Sequence, residues 1–456
     1  MIRPRITDFH GIPALQKDVS FAIPFLDEDL PLYVDPFLLW KSPSQQDNAL
    51  HVVVVDALNS LGRKWLDGSK EDATKELVEA SECSEIGLGQ SKTRRGKPIG
   101  YKEAEKILGL FEQVPQIRSH GIKRIEILQL LVPGIGRDRV SDLTCSFIKS
   151  FLIDYTIDQC LRMGIPCEET TLESVYNSRA QRFEPKISVK LPVSPVTNEA
   201  VIFVPKRWLR FIPWINFEDY FSHHIPQDDE AGSSEKLGHV EVLDFNRHHY
   251  DVVERYVERR VLTAQDCAND PLFAQIPVSS AKAKMNELRK LQTGISEKAD
   301  KKYEDLIVGM LASFFYPDCD FAKAQARTDS GVCIRDLIFY NNRSHPFLRD
   351  VFDLYESRQL VFEMKNVAKV EREHINQLNR YLSDSFGRFA VLVTRNPPPA
   401  AMVKNIVDLW SAQRKAIIIL TDQDIEQMVD VFESKQRAPL DVLKKKYFEF
   451  TQKLPK

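Results

Sequence analysis

Glu363 and Lys365 stand two residues apart in the run Leu360-Val361-Phe362-Glu363-Met364-Lys365. The apolar, β-favouring residues that open the run predict a short buried strand. Side chains two apart on a strand share a face, so an acid and a base are set side by side at its end. Stability alone rarely places such a pair there, because taking charges out of water costs free energy. A carboxylate and an ammonium at one spot are equipment for moving a proton and for steadying charge on a reacting group. Gln377 and Tyr381, four apart, share one face of a predicted helix. Upstream, Asp336 sits near the middle of the strand-like stretch Val332–Tyr340, and Glu304 lies at the start of an amphipathic helix that begins at Tyr303.

The elements that must carry these residues follow in order. After the Tyr303 helix come strands, a helix bearing Gln377 and Tyr381, the apolar strand Phe389–Thr394, a helix over Ala400–Arg414, and the apolar strand Ala416–Leu420. The stretch Asn341–Gln359 is long for a bare hairpin and reads as an insertion, with a helical turn around Phe347–Tyr355.

In this order, Asp336, Glu363-x-Lys365 and Gln377-x-x-x-Tyr381, led by helical Glu304, resemble the PD-(D/E)xK nuclease superfamily, the restriction-endonuclease-like fold, in its Mrr-like and RecB-like branches. The likeness spans about residues 300–425; Arg335 stands where the family has proline. The resemblance implies an α/β protein: a mixed β-sheet flanked by helices at the C-terminus (295–456), preceded by a larger α+β domain (1–294) that senses a trigger or selects the substrate. It implies Mg²⁺, with Mn²⁺ as a substitute, held by Asp336, Glu363, the carbonyl of Met364 and Glu304. It further implies catalysis by Asp336, Glu363 and Lys365, with Gln377 and Tyr381 supporting the site. The implied activity is DNA cleavage by an endonuclease of bacterial restriction or anti-phage defence, with RNA an open substrate and with room for partner defence proteins and homo-oligomers. Two alternatives stand beside it: a nucleic-acid-binding regulator on an inactive nuclease fold, and a repair or junction-processing nuclease.

The chain of 456 residues, 43% hydrophobic and 28% charged, fits globular domains rather than a disordered chain. No apolar run reaches the length of a membrane span, and the first residues lack the apolar core of a signal peptide, so no membrane partner is expected. Seven cysteines without C-x-x-C spacing predict reduced thiols in a cytoplasmic protein. The net charge of −3 excludes a generic basic nucleic-acid coat.

In the N-terminal half, Ser84–Gly100 combines glycines with Lys92, Arg94, Arg95 and Lys97 but lacks Walker spacing. Such a loop could meet nucleic-acid phosphates through amides and cations, or be plain surface. Asp27, Glu28, Asp29 and Asp35 predict a solvated, turn-rich surface first and a metal or partner site second. His51–Leu61 reads as strand or buried helix alike. Glu126–Val132 predicts a strand, Pro133–Arg139 a turn, and Val140–Met163 one long helix. Asp138 and Asp142 sit at that helix start, where capping is the first reading and a pocket with Arg137 and Arg139 the second. Ile187–Leu191 and Ala200–Pro205 predict strands, and Lys206–Phe211 predicts a helix with aromatics in the core and bases in solvent, with a nucleic-acid groove as the second reading. Asp244–Leu262 and the strongly charged Ser279–Asp300 predict helices, the latter linking the two halves near Gly294. His223, His224, His239, His248 and His249 lack zinc spacing.

Overall fold

The computed structural model describes residues 4–89, 98–223, 238–262, 276–316, 318–327, 334–341, 343–382 and 387–455. It is a mixed α/β protein, and its chain divides into two compact units. One holds residues 15–19 and everything from 270 onward; the other holds residues 3–14 and 20–269. The sequence places the division near Gly294; the structure places it near residue 270, so the charged helix Val278–Lys290 belongs to the C-terminal unit. No helix among the described residues is long and apolar enough to cross a membrane.

The C-terminal unit runs α1 (Val278–Lys290), α2 (Ala299–Phe314), β1 (Asp320–Arg327), β2 (Ile334–Tyr340), α3 (Pro346–Tyr355), β3 (Gln359–Lys365), α4 (Arg372–Tyr381), β4 (Phe389–Thr394), α5 (Ala400–Gln413), β5 (Ala416–Thr421), α6 (Asp422–Ser434) and α7 (Leu440–Thr451). The five strands form one sheet in sequence order. β1, β2 and β3 pair antiparallel, and β3, β4 and β5 pair parallel. β3 is therefore central, and it is apolar along both faces because helices cover both. On one side Phe362 and Phe339 meet Phe315, which follows α2. On the other, Glu363 meets Gln377 of α4. The insertion between β2 and β3 is the helix α3, with Pro346 in its first turn and the His345 ring accepting the Phe347 amide at 3.2 Å. Ser279–Asp300 is not one helix: α1 stops before Leu291, and α2 starts at Ala299.

The N-terminal unit is mainly helical. Its long helix is Gln45–Leu66, which settles His51–Leu61 as helix. Ser44 caps it, and the small Gly62 lets the ring of Phe111, on the helix Tyr101–Gln113, lie against its backbone. Glu126–Val132 is not a strand but a short 3₁₀ turn followed by the helical turn Leu128–Leu131, buried on all sides; a short apolar run carries no period that separates the two. The predicted long helix is two, Arg137–Phe147 and Lys149–Met163, broken at Ile148, whose backbone leaves the helical region (φ −107°, ψ 17°). Asp244–Leu262 likewise splits into His239–His248 and Tyr250–Leu262.

Glu168–Asn177 and Arg182–Leu191 make a two-stranded hairpin that includes the predicted strand Ile187–Leu191. Residues 200–205 form no strand: isolated bridges join Ala200 to Val193 and Pro205 to Phe21, and the Ile202 amide donates to the Glu85 carbonyl at 2.8 Å. Lys206–Phe211 is no helix: a 3₁₀ turn, Lys206–Trp208, leads into the two-residue strand Leu209–Arg210, paired to Tyr33–Val34.

The acidic cluster near the N-terminus is not a solvated surface. Glu28, Asp29 and Asp35 are all buried. Asp35, with no exposure, caps the helix Pro36–Trp40, accepting the Phe37 amide at 3.0 Å and the Trp214 amide at 2.7 Å, with Arg210 Nε 3.7 Å away. Buried Asp47 is met by Arg207 through both its oxygens, at 2.6 and 2.9 Å. Arg207 and Arg210 thus answer buried carboxylates.

Candidate active site

The site is built where β2 and β3 part. One step beyond the paired residues Leu337 and Phe362 come Asp336 and Glu363. Asp336 Oδ2 accepts the Met364 amide at 2.6 Å, which fixes that carboxylate against the next strand. Glu363 is fully buried; its Oε1 accepts from Lys365 Nζ at 2.7 Å and from Gln377 Nε2 at 2.7 Å. Gln377 Nε2 also donates to the Tyr381 hydroxyl at 2.9 Å. The strand period sets Lys365 beside Glu363, and the helical period sets Tyr381 beside Gln377.

α4 presents that polar pair because Ile375, Leu378 and Tyr381 anchor it to the core. Asp336, Glu363, Lys365, Gln377 and Tyr381 are therefore brought together. Met364, between Glu363 and Lys365 in the chain, gives its amide to Asp336 and brings a main-chain carbonyl to the same strand end. Glu304 is half-buried on α2, the helix that packs on β1, β2 and β3.

Electrostatics follow from this crowding. Burial, then the neighbouring Glu363 charge, pushes the Asp336 carboxyl up to about 7, against the opposing pull of the Met364 amide and Lys365. Burial draws the Lys365 ammonium down, but Glu363, its hydrogen bond and Asp336 outweigh that and raise it, so Lys365 stays charged. Two carboxylates thus face one ammonium, and a cation would offset the excess. The donor set, two carboxylates on adjacent strands beside a main-chain carbonyl, is of the hard-oxygen kind that suits Mg²⁺. Among the described residues no group of three or more His, Cys, Asp or Glu side chains is gathered for a metal, so the set is a two-carboxylate one at most before further ligands are added.

The other sequence-predicted residues fall elsewhere. Lys92, Arg94, Arg95 and Lys97 lie outside the described residues. Asp138 and Asp142 line a small cleft with Asp29 and Glu82. Arg139 instead ties the loop, donating to the Gly134 carbonyl at 2.9 Å, and Arg137 lies 5.1 Å above the Tyr33 ring. Burial and the surrounding carboxylates push Asp142 well above the usual carboxylate range. The five described cysteines, Cys83, Cys145, Cys160, Cys167 and Cys319, are free thiols.

Sequence reading missed Asn366, Arg395 and Asp422, each the residue just after a parallel strand. A polar residue at the exit of three successive apolar strands is the signal that marks them.

Residues 11–216 match a family described only as a domain of unknown function, DUF8370, which leaves residues 217–456 outside the match. No curated protein and no solved structure matches the chain.

Proposed function

We propose that the C-terminal unit is a metal-dependent endonuclease of the restriction-endonuclease-like fold that hydrolyses DNA phosphodiester bonds. One observation carries this reading: a single buried oxygen, Glu363 Oε1, accepts from both Lys365 and Gln377 while Asp336 is fixed on the adjoining Met364 amide. A purely structural ion pair has no use for a second, partly buried carboxylate beside the first, one that burial and the Glu363 charge push up to about 7.

Asp336, Glu363 and the Met364 carbonyl would hold the ion, with Glu304 reaching it directly or through water. Mg²⁺, or Mn²⁺ in its place, supplies positive charge to the phosphate oxygens and acidifies a water when bound. Lys365 orients that water or steadies the phosphate charge as it builds. Gln377 keeps Glu363 turned toward the ion, and Tyr381 keeps Gln377 in place. The N-terminal unit, which carries the matched 11–216 stretch, selects the substrate or senses the trigger, as in a restriction or phage-defence effector.

The test is incubation of the purified full-length chain with supercoiled plasmid, linear DNA and RNA, in Mg²⁺, Mn²⁺ or EDTA. Metal-dependent nicking or linearisation of DNA, abolished by Lys365→Ala, is expected. Cleavage that persists in EDTA, or that Lys365→Ala leaves intact, would place the chemistry elsewhere.

A further inference from the structure

Lys365, Thr394 and Thr421 are register neighbours at the ends of β3, β4 and β5. The next residue on each strand, Asn366, Arg395 and Asp422, turns the other way by the strand period, and the three are tied together. Arg395 Nε lies 2.8 Å from Asp422 Oδ2, and its Nη1 donates to Asn366 Oδ1 at 3.4 Å. Its Nη2 donates to the carbonyls of Leu288 and Leu291, at 3.3 and 3.0 Å, where α1 ends. Asn366 Nδ2 donates to the carbonyls of Gln292 and Gly294, at 3.0 and 2.8 Å, and the Gly294 amide donates back to the Asn366 carbonyl at 2.9 Å. Tyr303 of α2 donates its hydroxyl to Asp422 Oδ1 at 2.9 Å. The Arg395 side chain is only 11% exposed.

A guanidinium has five donors in a rigid fork, and here they span two strand exits and a helix end. Asn366 and Lys365 share one planar peptide, and the Val367 amide closes a tight turn on the Lys365 carbonyl at 2.9 Å, so little slack separates them. We propose that Arg395 and Asn366 are positioning residues that couple the end of α1 to Lys365, so that the ammonium stays on Glu363 only while the 288–294 segment is docked. This segment joins α1 to α2 within the C-terminal unit, so its docking is a point of control over the site. The proposal rests on the reading of Lys365 as a working residue, but it concerns where Lys365 sits, and that can be read without cleavage.

The experiment is brief acetylation of the intact chain with N-hydroxysuccinimide acetate, with Lys365 occupancy measured by peptide mass spectrometry against exposed Lys445. Glu363→Gln serves as the positive control for a released Lys365. In Arg395→Gln and in Asn366→Ala, labelling of Lys365 relative to Lys445 should rise about fivefold or more, as for a locally opened segment. Asn366→Ala carries the test if Arg395→Gln does not fold. A ratio within about twofold of wild type in a folded variant, with the control responding, overturns the proposal even if the thermal midpoint drops, since a merely structural clasp lowers stability without freeing one lysine. If DNA is cut, kcat should fall with KM unchanged; if the wild type cuts nothing, the nuclease reading fails while the labelling result stands.

Discussion

Gln377 Nε2 and Lys365 Nζ converge on the same oxygen of Glu363, each at 2.7 Å, one from a helix and the other from the strand itself. Two donors on one acceptor hold the carboxylate in a single orientation. Lys365→Ala, Glu363→Ala and Asp336→Ala should each abolish cleavage in a plasmid-nicking assay. Their effects should not add, because they serve one chemical step. Gln377→Ala acts through Glu363 and should cost less, about 10- to 100-fold. Equal losses for Gln377→Ala and Lys365→Ala would mean that the glutamine touches the reacting groups.

Metal binding should register as stability. The Glu363 charge disfavours a second charge on Asp336, so Mg²⁺ should raise the thermal midpoint of the wild type near pH 8, above the value of about 7 to which Asp336 is pushed. Asp336→Ala should be more stable than wild type in EDTA and indifferent to Mg²⁺. A midpoint that climbs with Mg²⁺ in Asp336→Ala as steeply as in wild type would show that the ion binds elsewhere.

Glu126 in the N-terminal unit makes a separate pH prediction. It is fully buried, and neither carboxylate oxygen meets a hydrogen-bond donor among the described residues. Burial, and secondarily Asp35, pushes it up to about 7, above its ordinary 4.5. The folded state therefore holds this proton more tightly than the unfolded chain. Its contribution is full below about 4.5 and is lost as the pH rises through about 7. Glu126→Met keeps the bulk without the charge, so it should flatten the fall in urea midpoint between pH 5 and 8 and raise stability at pH 8 by on the order of 2 kcal/mol. An unchanged slope would show that other buried carboxyls, such as Asp35, set it.

Gly62 tests helix packing. A Cβ there would run into the Phe111 ring, so Gly62→Ala should destabilise the N-terminal unit by about 1–3 kcal/mol despite the better helix propensity of alanine. Phe111→Leu in the same background should recover part of the loss. Calorimetry decides the sign, since propensity alone predicts a gain.

The candidate site was largely legible because its geometry is local. Glu363 and Lys365 meet through the strand period, and Gln377 and Tyr381 through the helical one, both readable from spacing. What escaped depended on distant partners. Asp35 looked like surface because its donor, the Trp214 amide, lies 179 residues away, and Asp47 is buried by Arg207, 160 residues on. Arg395 was marked only by its place at a strand exit, since its partners are carbonyls at the end of α1 and the Asn366 side chain just past β3. The break at Ile148 has no glycine or proline to announce it. Glu126–Val132 failed for a different reason, since a short run apolar on every side has no period to measure.

The pairing of Tyr33–Val34 with Leu209–Arg210, and the closure of Asp35 by Trp214, bear on how the protein is made. A ribosome emits the residues up to about Asp47 long before their partners exist. Until the chain has grown past Trp214, those residues carry Asp35 and Asp47 without the groups that neutralise or bind them, and Phe21 without the Phe203 ring it stacks on. Contacts of such span close slowly, because the intervening loop must be ordered first. The N-terminal unit thus cannot mature from its beginning outward. It must wait for its own far end, and a nascent chain stalled before residue 207 would expose this apolar and acidic segment to chaperones rather than fold it.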